Sequence, residues 1–315
     1  MAANKKAIAI IGPTAAGKTK LAVALATKYN GEIISADSRQ VYTGLDIGSG
    51  KDLADYDNNG QPIAYHLIDV VQPGDSFDLA TYQKLARQAL NNIWQTGKLP
   101  VIAGGSGLYL QALIDNYQLS SIKPDIGLRQ ELDKLSADQL WQKLHQLKPA
   151  LAERLNNSDK NNPRRLIRYL EIAQQAPSHQ SETKPAEPTE QFNTLILGVD
   201  YPLEVLEQRI RARLIQRLEN EDMIDEVYNL HEAGVDWKWL EGLGLEYRYI
   251  SRYLKEQLDY DEMVEQLAIA IRQFAKRQKT WFKRWEKQGK EIHWLNTDNS
   301  PEKEAEELVD KFLSK

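Results

Sequence analysis

The 315-residue sequence predicts an α/β fold, a parallel sheet flanked by helices on both faces, with a small helical subdomain inserted into it. Three observations predict it. The octet Gly12-Pro13-Thr14-Ala15-Ala16-Gly17-Lys18-Thr19 follows the apolar run Ala7-Ile8-Ala9-Ile10-Ile11 and opens the helix-favouring run Leu21 to Ala26. That strand, loop and helix order is the setting of a phosphate loop, so the expected core is P-loop NTPase-like. Apolar strand-length runs then alternate with helical periods as far as Ala103 and resume at Thr194. Between the two blocks the periodicity is helical only. The expected organisation is an α/β core over 1–118 and 192–315, a helical insertion over 119–175 and a flexible loop over 176–191.

Taken in order, strand 7–11 leads through the loop into a helix over 17–29. Strand Glu32–Ala36, an extended run Tyr65–Val70, a helix over 78–95 and strand Leu99–Ala103 complete the first block. The insertion offers helices at Asp125–Leu135, Asp138–Leu147 and Pro163–Ala173. Residues 176–191 carry prolines at 177, 185 and 188 and almost nothing to bury. Strand Thr194–Val199 returns the chain to the sheet. Helices over 202–218 and 221–233, a long amphipathic helix Asp261–Gln288, strand Glu291–Leu295 and helix Glu302–Leu313 follow. In such a sheet the ligand site lies at the carboxyl ends of the strands.

Composition narrows the chemistry. The chain is 42% hydrophobic and 27% charged, ordinary for a globular enzyme. Its zero cysteines exclude disulfides, thiolate zinc sites and a cysteine nucleophile, and suit a reducing compartment. No apolar run approaches the roughly 20 residues of a membrane helix, and residues 1–6 lead straight into the first strand. A cytoplasmic protein without a membrane partner is expected. The net charge of −5 hides three basic clusters: Arg164, Arg165 and Arg168; Arg209, Arg211, Arg213 and Arg217; and Lys276, Arg277, Lys279, Lys283 and Arg284. Any one of them reads as a solvated helix face, whereas three beside a phosphate loop point to contact with a polyanion.

In the loop, glycines let backbone N–H groups surround phosphate oxygens, Lys18 reaches the terminal phosphates and the Thr19 hydroxyl ligates Mg²⁺. The helix N-terminus adds partial positive charge. The loop does not say whose phosphates it holds. The second strand delivers Asp37-Ser38-Arg39-Gln40 beside it. Asp37 is a candidate proton acceptor, or a cap on a short helix. The strand ending in Gly104-Gly105-Ser106-Gly107 permits close backbone approach to a ligand, or places Ser106 at a helix N-cap. His66 reads as a structural, half-buried histidine. Trp281, Phe282 and Trp285 read as core packing of the long helix, with base stacking as the alternative.

Together these stretches resemble the tRNA dimethylallyltransferase family. The resemblance is carried by residues 12–19, Ile-Ser-Ala-Asp-Ser-Arg-Gln-Val-Tyr at 34–42, His-Leu-Ile-Asp at 66–69 and Gly-Gly-Ser-Gly-Leu-Tyr at 104–109. Asn-Pro-Arg-Arg-Leu-Ile-Arg-Tyr-Leu-Glu at 162–171 and Phe-Ala-Lys-Arg-Gln-Lys-Thr-Trp-Phe at 274–282 extend it over nearly the whole chain. The resemblance implies that Gly12 to Thr19 hold the diphosphate of dimethylallyl diphosphate with no ATP consumed. It also implies an acceptor, the exocyclic amino group (N6) of the adenine 3′ of the anticodon in tRNAs reading codons that begin with U. Asp37 is then the expected base. Thr14 would position the base or the amine, and Lys18, Mg²⁺ on Thr19 and an arginine of the 209–217 group, Arg209 or Arg213, would neutralise the leaving diphosphate. Residues 37–40 carry over as contacts to the tRNA, Ser106 as a contact near the target base and Arg164, Arg165 and Arg168 as anticodon-arm contacts; the helical insertion 119–175 is then the expected clamp over the anticodon loop, and the expected state is a monomer.

The chain departs from the family's usual pattern at Ser49-Gly50-Lys51, at 218–223 and at Gly-Leu-Gly-Leu-Glu-Tyr over 242–247, and residues 52–64 are long. Two other readings stay open on sequence alone. One is a prenyltransferase of free adenine nucleotides, which would not need the insertion. The other is a P-loop kinase of a small metabolite.

Overall fold

The computed structural model describes residues 5–58, 60–117, 122, 124–175, 192–297 and 300–315. Contacts divide the chain into one unit of residues 1–117 and 191–315 and a second of residues 118–190. The expected loop over 176–191 lies outside the described residues, as do residues 118–121 and 123 of the insertion.

The first unit begins with β1 (Lys6–Ile11), α1 (Lys18–Lys28) and β2 (Gly31–Ser35). A short hairpin, β3 (Asp57–Asn58) with β4 (Gln61–Pro62), precedes β5 (Tyr65–His66), α2 (Leu79–Gln95), β6 (Leu99–Gly104) and α3 (Gly107–Ile114). The second unit holds α4 (Ile126–Leu132), α5 (Ala137–Leu147), α6 (Pro149–Glu153), α7 (Asn157–Lys160) and α8 (Pro163–Gln175). The first unit resumes with β7 (Asn193–Gly198), α9 (Leu203–Asn220), α10 (Met223–Glu232), α11 (Trp237–Leu243), α12 (Leu245–Leu254) and α13 (Tyr260–Lys287), and ends with β8 (His293–Trp294) and α14 (Pro301–Leu313).

Six strands form a parallel sheet in the order β5-β2-β6-β1-β7-β8. Its strands are covered on both faces, which is why they read as continuous apolar runs. Side-chain alternation sends Ile8 and Ile10 into one core with α1 and α14, and Ala7, Ala9 and Ile11 into the other with α2, α3 and α13. Register decides where the chemistry lies. Ile11 pairs with Gly104 and with Gly198, and Ser35 pairs with Ala103. The strands therefore stop level, and the segments after β1, β2, β6 and β7 emerge side by side. A third apolar cluster, built from α9, α10, α12 and α13 around Val41, Tyr42 and Leu45, borders these segments.

One expected element is overturned. The run Tyr65–Val70 pairs with β2 only over Tyr65 and His66, against Ile33 and Ile34. Leu67 (φ 62°) and Asp69 (φ 55°) then turn into the left-handed region. The turn swings Asp69 onto Lys51, a fully buried lysine that also pairs with Asp46 at 2.5 Å and donates to the Tyr42 carbonyl at 2.9 Å. A buried ammonium without such partners would be untenable, and satisfying it outweighs two more ladder pairs. His66 is structural as expected, bonded to Glu32 at 2.7 Å. Helix α3 follows the N-cap reading of Ser106, whereas α6, α7, α11 and α12 and the β3–β4 hairpin are not among the expected elements. No helix among the described residues is long and apolar enough to cross a membrane.

The second unit packs Leu140, Leu144, Leu166, Ile167 and Leu170 into its own core. Its buried Glu171 accepts two bonds from Arg129 (2.6 and 3.0 Å), one from Arg168 (3.0 Å) and one from the Asp125 N–H (3.0 Å). Burial raises this carboxyl, but the arginines and the amide outweigh it and hold it down at about 2. Arg168 also donates to the Ile122 carbonyl at 2.7 Å, and Arg165 pairs with Asp159 at 2.6 Å. These two arginines of the expected nucleic-acid cluster are thus engaged within their own unit, while Arg164 is exposed.

Candidate active site

The level strand ends open onto a cavity of about 930 Å³. Its floor is the phosphate loop. Gly12 (φ 152°) passes so close to the end of β7 that a Cβ would stand 2.2 Å from the Val199 carbonyl, and Ala15 (φ 62°) and Gly17 (φ 89°) curl the backbone into the first turn of α1. Lys18 Nζ donates to the Pro13 carbonyl at 2.7 Å. Burial, then the neighbouring Arg213, lowers Lys18 to about 8.

Helix α9 lies alongside. Its arginines at 209, 213 and 217 recur every four residues and so share one face, which is turned to the cavity. Arg209 Nε donates to the Ala15 carbonyl at 2.8 Å and lies over the Tyr201 ring at 4.7 Å. Arg213 Nη2 donates to the Thr14 hydroxyl at 2.5 Å, and burial and Arg217 lower it to about 10. Arg217 is itself buried and pairs with Asp52 at 2.6 Å. Arg211 points elsewhere and pairs with Glu265 on the exposed side. The helix thus separates cavity arginines from a surface one, which composition could not do.

The second wall follows β2. Asp37, half-buried, accepts the Arg39 N–H at 2.9 Å in a local turn rather than capping a helix. Arg39 donates to the Ser38 hydroxyl at 2.8 Å, and Gln40 donates to the Gly50 carbonyl at 2.8 Å. Thr14, Lys18, Thr19, residues 37–40, Ser106, Arg209 and Arg213 all line this one cavity. Arg164, Arg165 and Arg168 belong to the other unit.

The third wall follows β6. Ser106 stands at the N-cap of α3, yet its hydroxyl makes no capping bond, so the cap reading accounts for its place and leaves the hydroxyl to the cavity. The glycines around it line the cavity and also have a packing reason. A Cβ on Gly104 would meet the Ala36 carbonyl at 2.3 Å, one on Gly105 the Gln278 amide at 2.3 Å and one on Gly107 the Trp281 indole at 2.2 Å. They let β6 dock against β2 and α13.

Two residues here carry weight that the sequence did not reveal. Buried Gln278 of α13 accepts the Thr14 N–H at 2.8 Å and donates to the Gly105 carbonyl at 2.9 Å, tying the phosphate loop to the β6 end. Glu246, in the first turn of α12, lines the cavity; burial pushes its carboxyl up while Arg213 and Arg217 pull it down. Phe282 and Trp285 are core residues as expected, whereas Trp281 reaches the cavity wall with Arg284 over its ring at 4.0 Å.

Ser49, Gly50 and residues 242–246 line the same cavity. A Cβ on Gly48 would lie 2.8 Å from the Tyr247 ring, and one on Gly50 (φ 69°) would lie 3.1 Å from the Arg217 guanidinium.

Among the described residues no group of three His, Asp or Glu side chains forms a metal cluster. The oxygen donors at the phosphate loop, with the Thr19 hydroxyl among them, suit a hard cation that keeps water and phosphate oxygens as its other ligands.

The comparisons with known proteins agree on one group. The model of the IPP transferase family matches residues 40–285. A tRNA dimethylallyltransferase of Geotalea uraniireducens is 43% identical over 302 residues, 96% of each chain, and one of Syntrophotalea carbinolica is 46% identical over 93% of this chain and 95% of its own. The solved tRNA isopentenylpyrophosphate transferase of Bacillus halodurans is 34% identical with a TM-score of 0.68, covering 98% of this chain and 96% of that one. A eukaryotic dimethylallyltransferase, described as acting on tRNA, is 26% identical with a TM-score of 0.80 over 98% of this chain and 80% of its own. With the family model matching residues 40–285 and relatives 43–46% identical over more than nine-tenths of the chain, the chain belongs to the tRNA dimethylallyltransferase family of IPP transferases.

Proposed function

We propose that this cavity transfers the dimethylallyl group of dimethylallyl diphosphate to N6 of the adenine 3′ of the anticodon in tRNAs reading codons that begin with U. One observation supports it above the others: a carboxylate, Asp37, and the cations Lys18, Arg209 and Arg213 line the same cavity as the phosphate loop. An adenine amino group is a weak nucleophile, since its lone pair is delocalised into the ring. As the N6–C1 bond forms and the C1–O bond breaks, the electron pair leaves with diphosphate and the N6 proton passes to Asp37. Lys18, Arg209 and Arg213, with the loop backbone from Gly12 to Thr19, hold the charge that develops on the leaving group. Thr14, held by Arg213, orients the amine beside Asp37. When bound, Mg²⁺ supplies further neutralisation of the diphosphate oxygens, and Thr19 is the residue that would hold it. Residues 38–40 and Ser106 contact the tRNA around the target base, which has to leave the loop stack to reach Asp37. The enzyme acts as a monomer in the cytoplasm, where its acceptor resides.

Transfer of label from radiolabelled dimethylallyl diphosphate, with Mg²⁺ and no ATP, to unmodified tRNA or to AMP tests this reading. Label on tRNA alone supports it. Label on AMP alone moves the protein to nucleotide prenylation, and label on neither, with saturable ATP binding, to a kinase.

Three expectations follow from individual cations. Lys18 is charged below its value of about 8 and neutral above it, so inorganic diphosphate should bind progressively more weakly as the pH rises through 8. Calorimetry across pH 7 to 9.5 on wild type and Lys18→Met checks this, the variant correcting for the charge that diphosphate itself gains; an affinity ratio that does not change with pH would remove Lys18 from the anion site. Arg164→Ala should lower the salt slope of tRNA binding by about 1, as loss of one phosphate contact does. Arg168→Ala should instead destabilise the helical unit, because Arg168 holds buried Glu171. Filter binding over a salt series, paired with thermal melts, separates the two.

A further inference from the structure

Glu226 lies on α10 and does not line the cavity, yet its carboxylate accepts four hydrogen bonds beside it. It accepts the backbone N–H groups of three consecutive residues, Asp46 (2.8 Å), Ile47 (2.6 Å) and Gly48 (3.0 Å), and the Tyr247 hydroxyl at 2.9 Å. Successive amides turned to one side form a concave anion site, and one carboxylate fills it here. The segment so held is cavity wall. Gly48, Ser49 and Gly50 line the cavity, and the Gly50 carbonyl accepts the Gln40 N–H₂ at 2.8 Å while the Gln40 oxygen accepts the Ser35 hydroxyl at 2.7 Å, so Gly50 fixes one end of the carboxamide and β2 the other. From its other side the same segment is gripped by buried Lys51, through the Asp46 carboxylate and the Tyr42 carbonyl. Tyr247 also packs its ring on Gly48, where no Cβ would fit.

We propose that Glu226 is a positioning residue for the acceptor side of the reaction: by holding residues 46–48 it sets the Gly50 carbonyl and, through it, the direction in which Gln40 presents its carboxamide to the RNA. The chain of contacts runs from Glu226 to the wall segment to Gln40, and no part of it touches substrate before Gln40. The inference rests on the tRNA-modifying reading of the cavity. Tyr247 supplies the fourth bond to Glu226, and Gly50 receives Gln40 on its carbonyl and packs on Arg217.

The test is a double-mutant cycle on the full chain with Glu226→Gln and Gln40→Ala, read as kcat/KM for tRNA at saturating dimethylallyl diphosphate. A glutamine at 226 turns an N–H₂ towards amides that need an acceptor. Each single variant should lose about tenfold with donor KM within about twofold of wild type, and the double variant should lose no more than the worse single, because both act on one path. A loss of about a hundredfold in the double, the product of independent effects, overturns the proposal. So does an unchanged Glu226→Gln enzyme. Hydrogen exchange without substrate gives a second readout: Glu226→Gln should speed exchange of the amides at 46–48 while the central strands keep their protection, and acceleration everywhere would mean a general structural role. If Glu226→Gln does not fold, Tyr247→Phe removes one of the four bonds and should show a smaller, equally non-additive loss with Gln40→Ala. A wild-type chain that transfers nothing to tRNA would sink the reading of the cavity, while protection at 46–48 is measured independently of it.

Discussion

Asp37→Asn should lower the rate of prenyl transfer to tRNA by about a hundredfold to ten-thousandfold while tRNA affinity stays within about twofold, because a positioned general base contributes on that scale. The asparagine preserves the shape of the side chain and can still accept the Arg39 N–H at 2.9 Å, so the turn that presents residues 38–40 survives. What it loses is the capacity to take the N6 proton as the C–N bond forms. Single-turnover transfer with preformed tRNA complex isolates that step from binding. A variant as fast as wild type would remove Asp37 from the base role and direct attention to Glu246, a further carboxyl of the cavity, which Arg213 and Arg217 face.

Arg213→Ala should cost about a hundredfold to a thousandfold in kcat, the usual loss when one donor to a developing anion is removed from an enclosed site. Arg213 is expected to act twice, on the leaving diphosphate and, through its 2.5 Å bond, on the Thr14 hydroxyl. Thr14→Val, which deletes only the hydroxyl, should therefore reproduce a part of the loss. Arg211→Ala is the internal control. It sits two residues away on the same helix, pairs with Glu265 on the exposed side and should leave kcat within about twofold, since exposed pairs contribute little. Equal losses at 211 and 213 would mean that the basic helix acts through its general field rather than through one aimed guanidinium.

The fold was legible where short-range chemistry determines it. The phosphate loop announces itself because its glycines are needed locally, at φ 152° and 89°, between an apolar strand and an apolar helix. The strands of the parallel sheet are readable because both faces are covered, which leaves continuous apolar runs such as Ala7 to Ile11. What was not legible depends on distant partners. Gln278 looks like one more polar residue on an amphipathic helix, and its meaning comes from Thr14 and Gly105, which are 264 and 173 residues away. The end of β5 was misread because Lys51, not local propensity, draws Asp69 into a turn. Helices α11 and α12 escaped notice because Gly242 and Gly244 interrupt the periodicity; Gly244 is extended at φ −157° and separates them. The glycines of 104–107 were visible, but their purpose was not, since the Ala36, Gln278 and Trp281 atoms that exclude a Cβ come from two other parts of the chain.

The arginines show the same limit for the site. Sequence places Arg209, Arg211, Arg213 and Arg217 in one cluster, and only the helix phase assigns three to the cavity and one to the surface. Likewise Arg164, Arg165 and Arg168 look equivalent in sequence. Two of them turn out to hold Asp159 and Glu171 in their own unit.

The measurement that tests the central claim most directly is mass spectrometry of a nuclease digest of unmodified tRNA after incubation with this protein, dimethylallyl diphosphate and Mg²⁺. A single dimethylallyl group on the adenine 3′ of the anticodon, absent with Asp37→Asn, with one diphosphate released per modified nucleotide, is the predicted result. Intact tRNA, or the group placed on a nucleotide outside the anticodon loop, would contradict it.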